Sequence, residues 1–399
     1  MATQPKTAQP NYARRLAQTR VRLESEQLDG LLVANHHNRR YLTGFPTEDH
    51  DIVETAGWAL VTPKRLALVT TTFAIIGLEA TVTPSGAEVL RFDTRSAWEI
   101  VAETAAEDGV QRLGFEASYF SYERYDRLRT ALRRRSRRGG PRVEMVPAKS
   151  VIEHVRALKD PAEVAAIRKA GAIAEEAFER LVPTLRPGMT EREIARRLET
   201  LMVDQGALGP SFPTIVAAGQ NAAQPHAVAG DRQVRAGEPL LIDFGAYADG
   251  YCSDFTRTIT LGEPEPRLVD LYAIVREAQS AAERALAEGV RRGRDVDHAA
   301  REVIEKAGYG DHYLHGTGHG VGMAVHELPS LTRARPDRGL TSADLAKIEH
   351  LEPGHVVTVE PGIYLEDWGG VRLEDMLLIT ESGATVLNER NPERVRVVA

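Results

Sequence analysis

His315-Gly-Thr-Gly-His-Gly-Val-Gly-Met-Ala-Val-His-Glu-Leu328 decides how this chain is read. Its first twelve residues hold three histidines and four glycines. Glycine costs chain entropy and lets backbone approach backbone or ligand closely. A packed core gains little from such a string, whereas a site presenting imidazoles at close quarters gains a lot. Imidazole is the commonest metal-ligating side chain and titrates near neutral pH.

Acids flank this stretch on both sides. Asp243 follows Leu-Leu-Ile, and Asp254 stands ahead of Phe-Thr-Arg-Thr-Ile-Thr. Glu360 follows Val-Val-Thr-Val, and Glu374 stands shortly before Leu-Leu-Ile. Each acid sits in or beside a strand-like apolar run. Buried charges are costly unless they are paired or bind metal. Four carboxylates and an imidazole suit two adjacent divalent cations. A dinucleotide loop is the other reading of Gly316-x-Gly318-x-Gly320-x-Gly322. The interleaved histidines, and the lack of a strand running into it with a helix after, count against that.

At 399 residues the chain is expected to form one or two domains. Its 42% hydrophobic and 27% charged residues fit a soluble globular enzyme. A net charge of −7 gives no electrostatic pull toward nucleic acid or anionic lipid. Nine arginines fall between Arg124 and Arg142. Without interleaved aromatics they read as a solvated helix face and a basic loop rather than a nucleic-acid patch. The single cysteine, Cys252, excludes an intrachain disulfide and a cysteine-based zinc site. It reads as a small buried strand residue. Met1 to Pro10 is polar with no apolar signal core, and no run of about 18 apolar residues offers a membrane span. A cytoplasmic protein is therefore expected.

Along the chain, a helical pattern from Asn11 to Gln27 precedes a strand at Gly30–Asn35. Asn38-Arg-Arg-Tyr-Leu-Thr-Gly-Phe45 reads as a loop. Strands at 56–62, 65–71 and 112–116 alternate with helical patches, which indicates an α/β domain. In Lys159-Asp-Pro-Ala-Glu163, Asp160 caps a helix whose first position is Pro161. The domain boundary is placed just before it, giving residues 1–155 and 156–399. Thr190 and Glu193 form a capping box. Strands at 214–218, 239–245 and 256–260 surround the aspartates. Amphipathic helices are expected over 267–288 and 296–307. Strands and helices mix without a regular βαβ rhythm, so the second domain is read as α+β.

These residues resemble the pita-bread metallopeptidases: methionine aminopeptidase, aminopeptidase P, prolidase and the metal-free creatinase. The resemblance covers nearly the whole chain. It implies an α+β architecture, with a C-terminal pita-bread catalytic domain preceded by a smaller α/β creatinase-type domain. Asn38–Phe45 is similar to a signature of that smaller domain. Two aspartates eleven apart, a histidine in His-Gly-x-Gly-His-Gly, and glutamates fourteen apart carry the match. By resemblance, Asp243 chelates one metal, Asp254 and Glu374 bridge both, and His319 and Glu360 complete the other shell. His326 and His226 would hold the scissile carbonyl or the oxyanion. Glu360 would also move the proton of the attacking water to the leaving nitrogen. Arg372 would pair with a site carboxylate, and Tyr364 would line the site. The other histidines, His36, His37, His50, His298 and His312, are given no catalytic role, and His315 is not a ligand. One departure stands out: where some longer prolidases have a tyrosine, fourteen residues before His226, this chain has Phe212.

The implied cofactor is a pair of divalent ions, Mn²⁺ first, with Co²⁺ or Zn²⁺ as alternatives. The implied reaction is cleavage of the bond before proline by a hydroxide shared between the two metals. The short His-Gly-Thr-Gly-His-Gly-Val-Gly form looks like the bacterial Xaa-Pro dipeptidases. An aminopeptidase P acting on longer proline-containing peptides is the alternative. A non-peptidase metal lyase and a non-catalytic binding protein on the same fold are further ones. A dipeptidase needs a cation for the substrate carboxylate, and His226, Arg372, Arg39 and Arg40 are the candidates. Resemblance also implies a homodimer, with neither nucleic acid nor membrane as partner.

Overall fold

The structure is a computed structural model that describes residues 10–49, 51, 54–333 and 348–398. His50 and most of the polar N-terminal stretch lie outside the described residues. Two compact units follow one another, the first ending at Arg156 and the second starting at Ala157.

The first unit is built on six strands: β1 (Gly30–Val33), β2 (Gly57–Val61), β3 (Leu66–Thr70), β4 (Glu88–Arg91), β5 (Arg112–Glu116) and β6 (Glu144–Ala148). They form one mixed sheet in the order β4-β3-β2-β1-β5-β6. The first three are fully buried and almost wholly apolar, as strands covered on both faces must be. Helices Ala97–Glu107 and Tyr122–Arg137 cover one side, packing Ile100, Val101, Leu128 and Leu132 against Leu32, Leu60, Val69 and Phe115. The arginine-rich stretch therefore supplies one of the covering helices, and exposed members such as Arg127 pair with Glu123 at 2.6 Å.

One local reading is corrected. Asn38–Phe45 is not a loop, because His36–Thr43 forms a helix. Asn35 caps it, accepting from the His37 and Asn38 N–H groups, and Gly44 ends it at φ 75°. Arg39 is fully buried in this unit. It donates to Asp49 at 2.9 Å, to the Gly57 carbonyl at 2.6 Å and to the Thr47 carbonyl.

Among the described residues the second unit holds two larger sheets, a small three-stranded sheet and a ribbon. Strands Ile215–Ala218, Leu240–Phe244, Phe255–Leu261 and Arg396–Val398 are neighbours in one sheet. Strands Glu327–Leu331, Gly318–Gly320, Val356–Val359, Asp375–Thr380 and Gly383–Val386 make the other, in that order. Gly362–Leu365 and Gly369–Arg372 pair as a ribbon. Helix Pro161–Leu181 begins at Asp160 and Pro161 with a capping box to Glu163. Helix Glu191–Asp204 begins with the Thr190–Glu193 box. Helices Pro266–Ala287 and Gly293–Lys306 bury Leu271, Val275, Val296, Ala300 and Ile304 against Val357, Val359, Ile363 and Leu377. That shared core fixes the five-stranded sheet against the ribbon, and the candidate site lies where their strand ends meet the other sheet.

Candidate metal centre

Strands Leu240–Phe244 and Phe255–Leu261 run antiparallel with Thr256 opposite Asp243. Asp254, immediately before the second strand, therefore comes back beside Asp243. Glu374 lies between the ribbon and strand Asp375–Thr380. Its N–H donates to the Thr256 carbonyl at 3.1 Å, and the Thr256 hydroxyl donates to Glu374 Oε2 at 2.8 Å. Arg257 adds a bond to the Glu374 carbonyl at 2.6 Å. A carboxylate from one sheet is thus tied to the backbone of the other.

His319 sits at a break in register between Gly318–Gly320 and Glu327–Leu331, the kind of bulge that re-aims a side chain. A Cβ on Gly318 would fall 2.1 Å from the Thr358 carbonyl oxygen, so only glycine permits this approach. The His319 N–H donates to the Thr358 hydroxyl at 3.1 Å, two residues before Glu360. His319 Nδ1 lies 3.1 Å from the Gly320 carbonyl. A carbonyl only accepts, so Nδ1 carries the hydrogen and Nε2 presents a lone pair. That Nε2 is 3.6 Å from Asp254 and 3.4 Å from Glu360.

Ligand atoms of Asp254, His319 and Glu374 lie within 4.8 Å of one another. Two carboxylate oxygens here, Asp243 Oδ1 and Glu374 Oε1, are buried without a hydrogen-bond partner. Burial, reinforced by the neighbouring acids, pushes the Asp254 and Glu374 carboxyls well above the usual range. Burial also raises Glu360 to about 7, against the pull of Arg372. Burial lowers His319 and keeps it neutral. A crowd of buried acids facing a neutral imidazole is what a divalent cation stabilises. The donors present fit two such ions.

A cavity of about 710 Å³ opens on these groups. All five candidate ligands line it, as do His226, His326, Arg372 and Phe212. Pro213, Ile215, Val228 and Leu314 give it an apolar wall. The His326 ring is 4.2 Å from that of His319, and burial lowers its pKa to about 4. Tyr364 does not line the cavity among the residues described. It is buried behind the wall, and its hydroxyl meets His315 Nε2 at 2.7 Å and Arg372 Nη1 at 2.9 Å. Arg372 also donates to Asp243 Oδ2 at 2.5 Å and to the Pro225 carbonyl at 3.3 Å.

Other groups here were given no role from sequence. His315, read as a non-ligand, lines the cavity while its Nδ1 donates to Gly316 O at 2.7 Å. Arg333 lines the cavity as an exposed cation. Lys159 and Glu327 form a buried pair beside His326. Nothing in the spacing marks the Lys159–Glu327 pair, because the two residues are distant in sequence.

The sequence model of Metallopeptidase family M24 matches residues 165–381, and that of the Creatinase/Prolidase N-terminal domain matches residues 15–158. The uncharacterized peptidase YqhT of Bacillus subtilis is 35% identical over 92% of this chain and 96% of its own. The Xaa-Pro dipeptidase structure from Bacillus anthracis matches at TM-score 0.84 with 34% identity, covering 97% of this chain and all of that one. The X-Pro aminopeptidase of Thermotoga maritima matches at TM-score 0.78 with 30% identity, over 94% of this chain. With both of its units matched, the chain belongs to metallopeptidase family M24, among the members that carry a creatinase/prolidase N-terminal domain.

Proposed function

We propose that this metallopeptidase cleaves Xaa-Pro dipeptides, with two divalent ions held by Asp243, Asp254, His319, Glu360 and Glu374. The observation that carries the reading is the convergence of all five on one cavity, with two buried carboxylate oxygens that have no other partner. When bound, such ions acidify water and polarise a carbonyl.

The chain's own groups do the rest. Glu360 lines the cavity with its carboxylate 3.4 Å from His319, which places it to take a proton from the attacking water and deliver it to the leaving nitrogen. His326 is neutral at pH 7 and can donate one hydrogen bond where negative charge grows on the carbonyl oxygen. His226 lines the same cavity and is assigned a second such bond. Arg372 orients Asp243 and is in turn held by Tyr364. The tertiary amide before proline has no N–H and belongs to a fixed ring, and the apolar wall of Phe212, Pro213 and Ile215 suits that ring. Of the cations considered from sequence, Arg372 is engaged with Asp243 and Arg39 with Asp49. Arg333, an exposed cation on the cavity wall that the sequence reading did not consider, is assigned the substrate carboxylate.

An aminopeptidase acting on longer peptides is the second reading, favoured by the likeness to the Thermotoga maritima structure. A metal lyase or a non-catalytic binding protein on the same fold is a further alternative. Hydrolysis of Ala-Pro against Ala-Pro-Ala separates them, in Mn²⁺ after chelator treatment, with Glu360→Ala and His319→Ala as controls. Cleavage of the dipeptide alone, lost in both variants, is expected. Comparable cleavage of the tripeptide would make it an aminopeptidase, and inactivity on both with metal bound would end the peptidase reading. Mn²⁺ as the native ion, a homodimer and a cytoplasmic location are proposed on resemblance. Metal analysis of purified protein, light scattering and cell fractionation test them.

A further inference from the structure

Helix Gly293–Lys306 buries Val296, Ala300 and Ile304 on one face, and in the same stripe it buries Asp297 and Arg301. Their relative exposures are 1% and 6%. Arg301 Nε meets Asp297 Oδ2 at 3.0 Å, and Nη2 meets Oδ1 at 3.1 Å. A buried ion pair contributes little net stability compared with apolar residues of the same volume. The pair spends its remaining bonding capacity on five residues of irregular backbone. Arg301 donates to the Tyr313 carbonyl at 3.1 Å and to the His315 carbonyl at 2.8 Å. Asp297 Oδ1 accepts from the Thr317 N–H and hydroxyl, both at 3.0 Å. The Tyr313 hydroxyl, 2.7 Å from that of Thr317, closes the loop, and the Arg301 guanidinium covers the Tyr313 ring at 4.1 Å.

What hangs on that segment is the candidate metal centre. Thr317 leads through Gly318 to His319. The Thr317 carbonyl accepts the Glu360 N–H at 2.7 Å. His315 continues through Tyr364 and Arg372 to Asp243. Three of the five proposed ligands are thus referred to one helix by one ion pair.

We propose that Asp297 and Arg301 are positioning residues that set the separation of His319, Glu360 and Asp243. Neither touches substrate or metal. The proposal rests on the metal reading given above.

The test uses the full chain stripped by chelator. Mn²⁺ is titrated by calorimetry into wild type, Arg301→Lys, Asp297→Asn and the double variant Asp297→Leu/Arg301→Met. Circular dichroism and thermal midpoints are taken on the same samples. The double variant keeps apolar packing, which guards against a simple folding defect. Folded variants are expected to bind Mn²⁺ about 10- to 100-fold more weakly, the range for groups that orient ligands. Their kcat should fall while KM changes less than about threefold, and Arg301→Lys should retain the most. Wild-type Mn²⁺ affinity and kcat in any folded variant would overturn the proposal. So would loss of the fold in all three, which would make the pair scaffold alone. Wild type that binds no Mn²⁺ would instead overturn the site reading beneath it.

Discussion

Lys159 and Glu327 lie 2.6 Å apart, with side-chain exposures of 0% and 1%. Glu327 adjoins His326, and its carboxylate fills the space a Cβ on Gly322 would need, 1.9 Å away. The lysine thus holds one end of the turn that carries His326. Removing Lys159 takes away one of the groups that compensate the buried Glu327 carboxylate. Lys159→Met should therefore destabilise the protein by about 3 kcal/mol, read as a lower urea midpoint. Lys159→Met/Glu327→Gln should recover much of that loss. Equal midpoints for the single and double variants would show that the charge of Glu327 is compensated elsewhere.

Arg372 reaches both Asp243 and Tyr364. Arg372→Gln removes the cation and should lower kcat about 100-fold, while Tyr364→Phe, which removes only the hydroxyl between two partners, should cost about tenfold. Steady-state kinetics at saturating Mn²⁺ checks the order. A larger loss in Tyr364→Phe would place the phenol at the reacting atoms rather than behind Arg372.

Acid pairing sets a pH dependence with a definite sign. An unfolded glutamate releases its proton near 4.5, whereas folded Glu360 holds it to about 7, chiefly through burial. Between those values the folded state binds more protons, so this group's contribution to stability falls as pH rises. Asp254 and Glu374 are raised for the same reason and act in the same direction. Metal displaces these protons. The increase in thermal midpoint produced by saturating Mn²⁺ should therefore be larger at pH 8 than at pH 5. An equal increase at both would mean that the acids ionise freely in the metal-free protein.

Arg333→Ala should raise KM for Ala-Pro about tenfold, a loss of about 1.4 kcal/mol, with kcat unchanged. Ala-Pro amide, which lacks the carboxylate, should be processed equally by both proteins. If the amide is affected as strongly, Arg333 shapes the cavity rather than binding the charge.

The acids stood out because each lies in or beside a short apolar run whose strand character is local, and three of the histidines because the glycines between them report close approach, whereas His226 was singled out by resemblance alone. Phe212 and Arg372 share that cavity. The supporting groups were not legible. Asp297 and Arg301 sit four apart on a helix, where an exposed pair is the ordinary reading, and only the packing of Val296, Ala300 and Ile304 shows that they face inward. Asn38–Phe45 was missed as a helix because its buried face includes an arginine, Arg39, whose partners Asp49 and Gly57 come later in the chain. Tyr364 was expected to line the site, but its hydroxyl turns to His315 and Arg372 instead of the cavity.

The bond from the Thr256 hydroxyl to Glu374 joins strands far apart in sequence. No stretch of the chain shorter than Asp243 to Glu374 contains all four acids, so with the ligands proposed above a nascent chain would retain metal only once both sheets are made and docked. On the metal site proposed above, metal retention would act as a late check on assembly: a molecule whose last strands have slipped would lose its ions and its activity together.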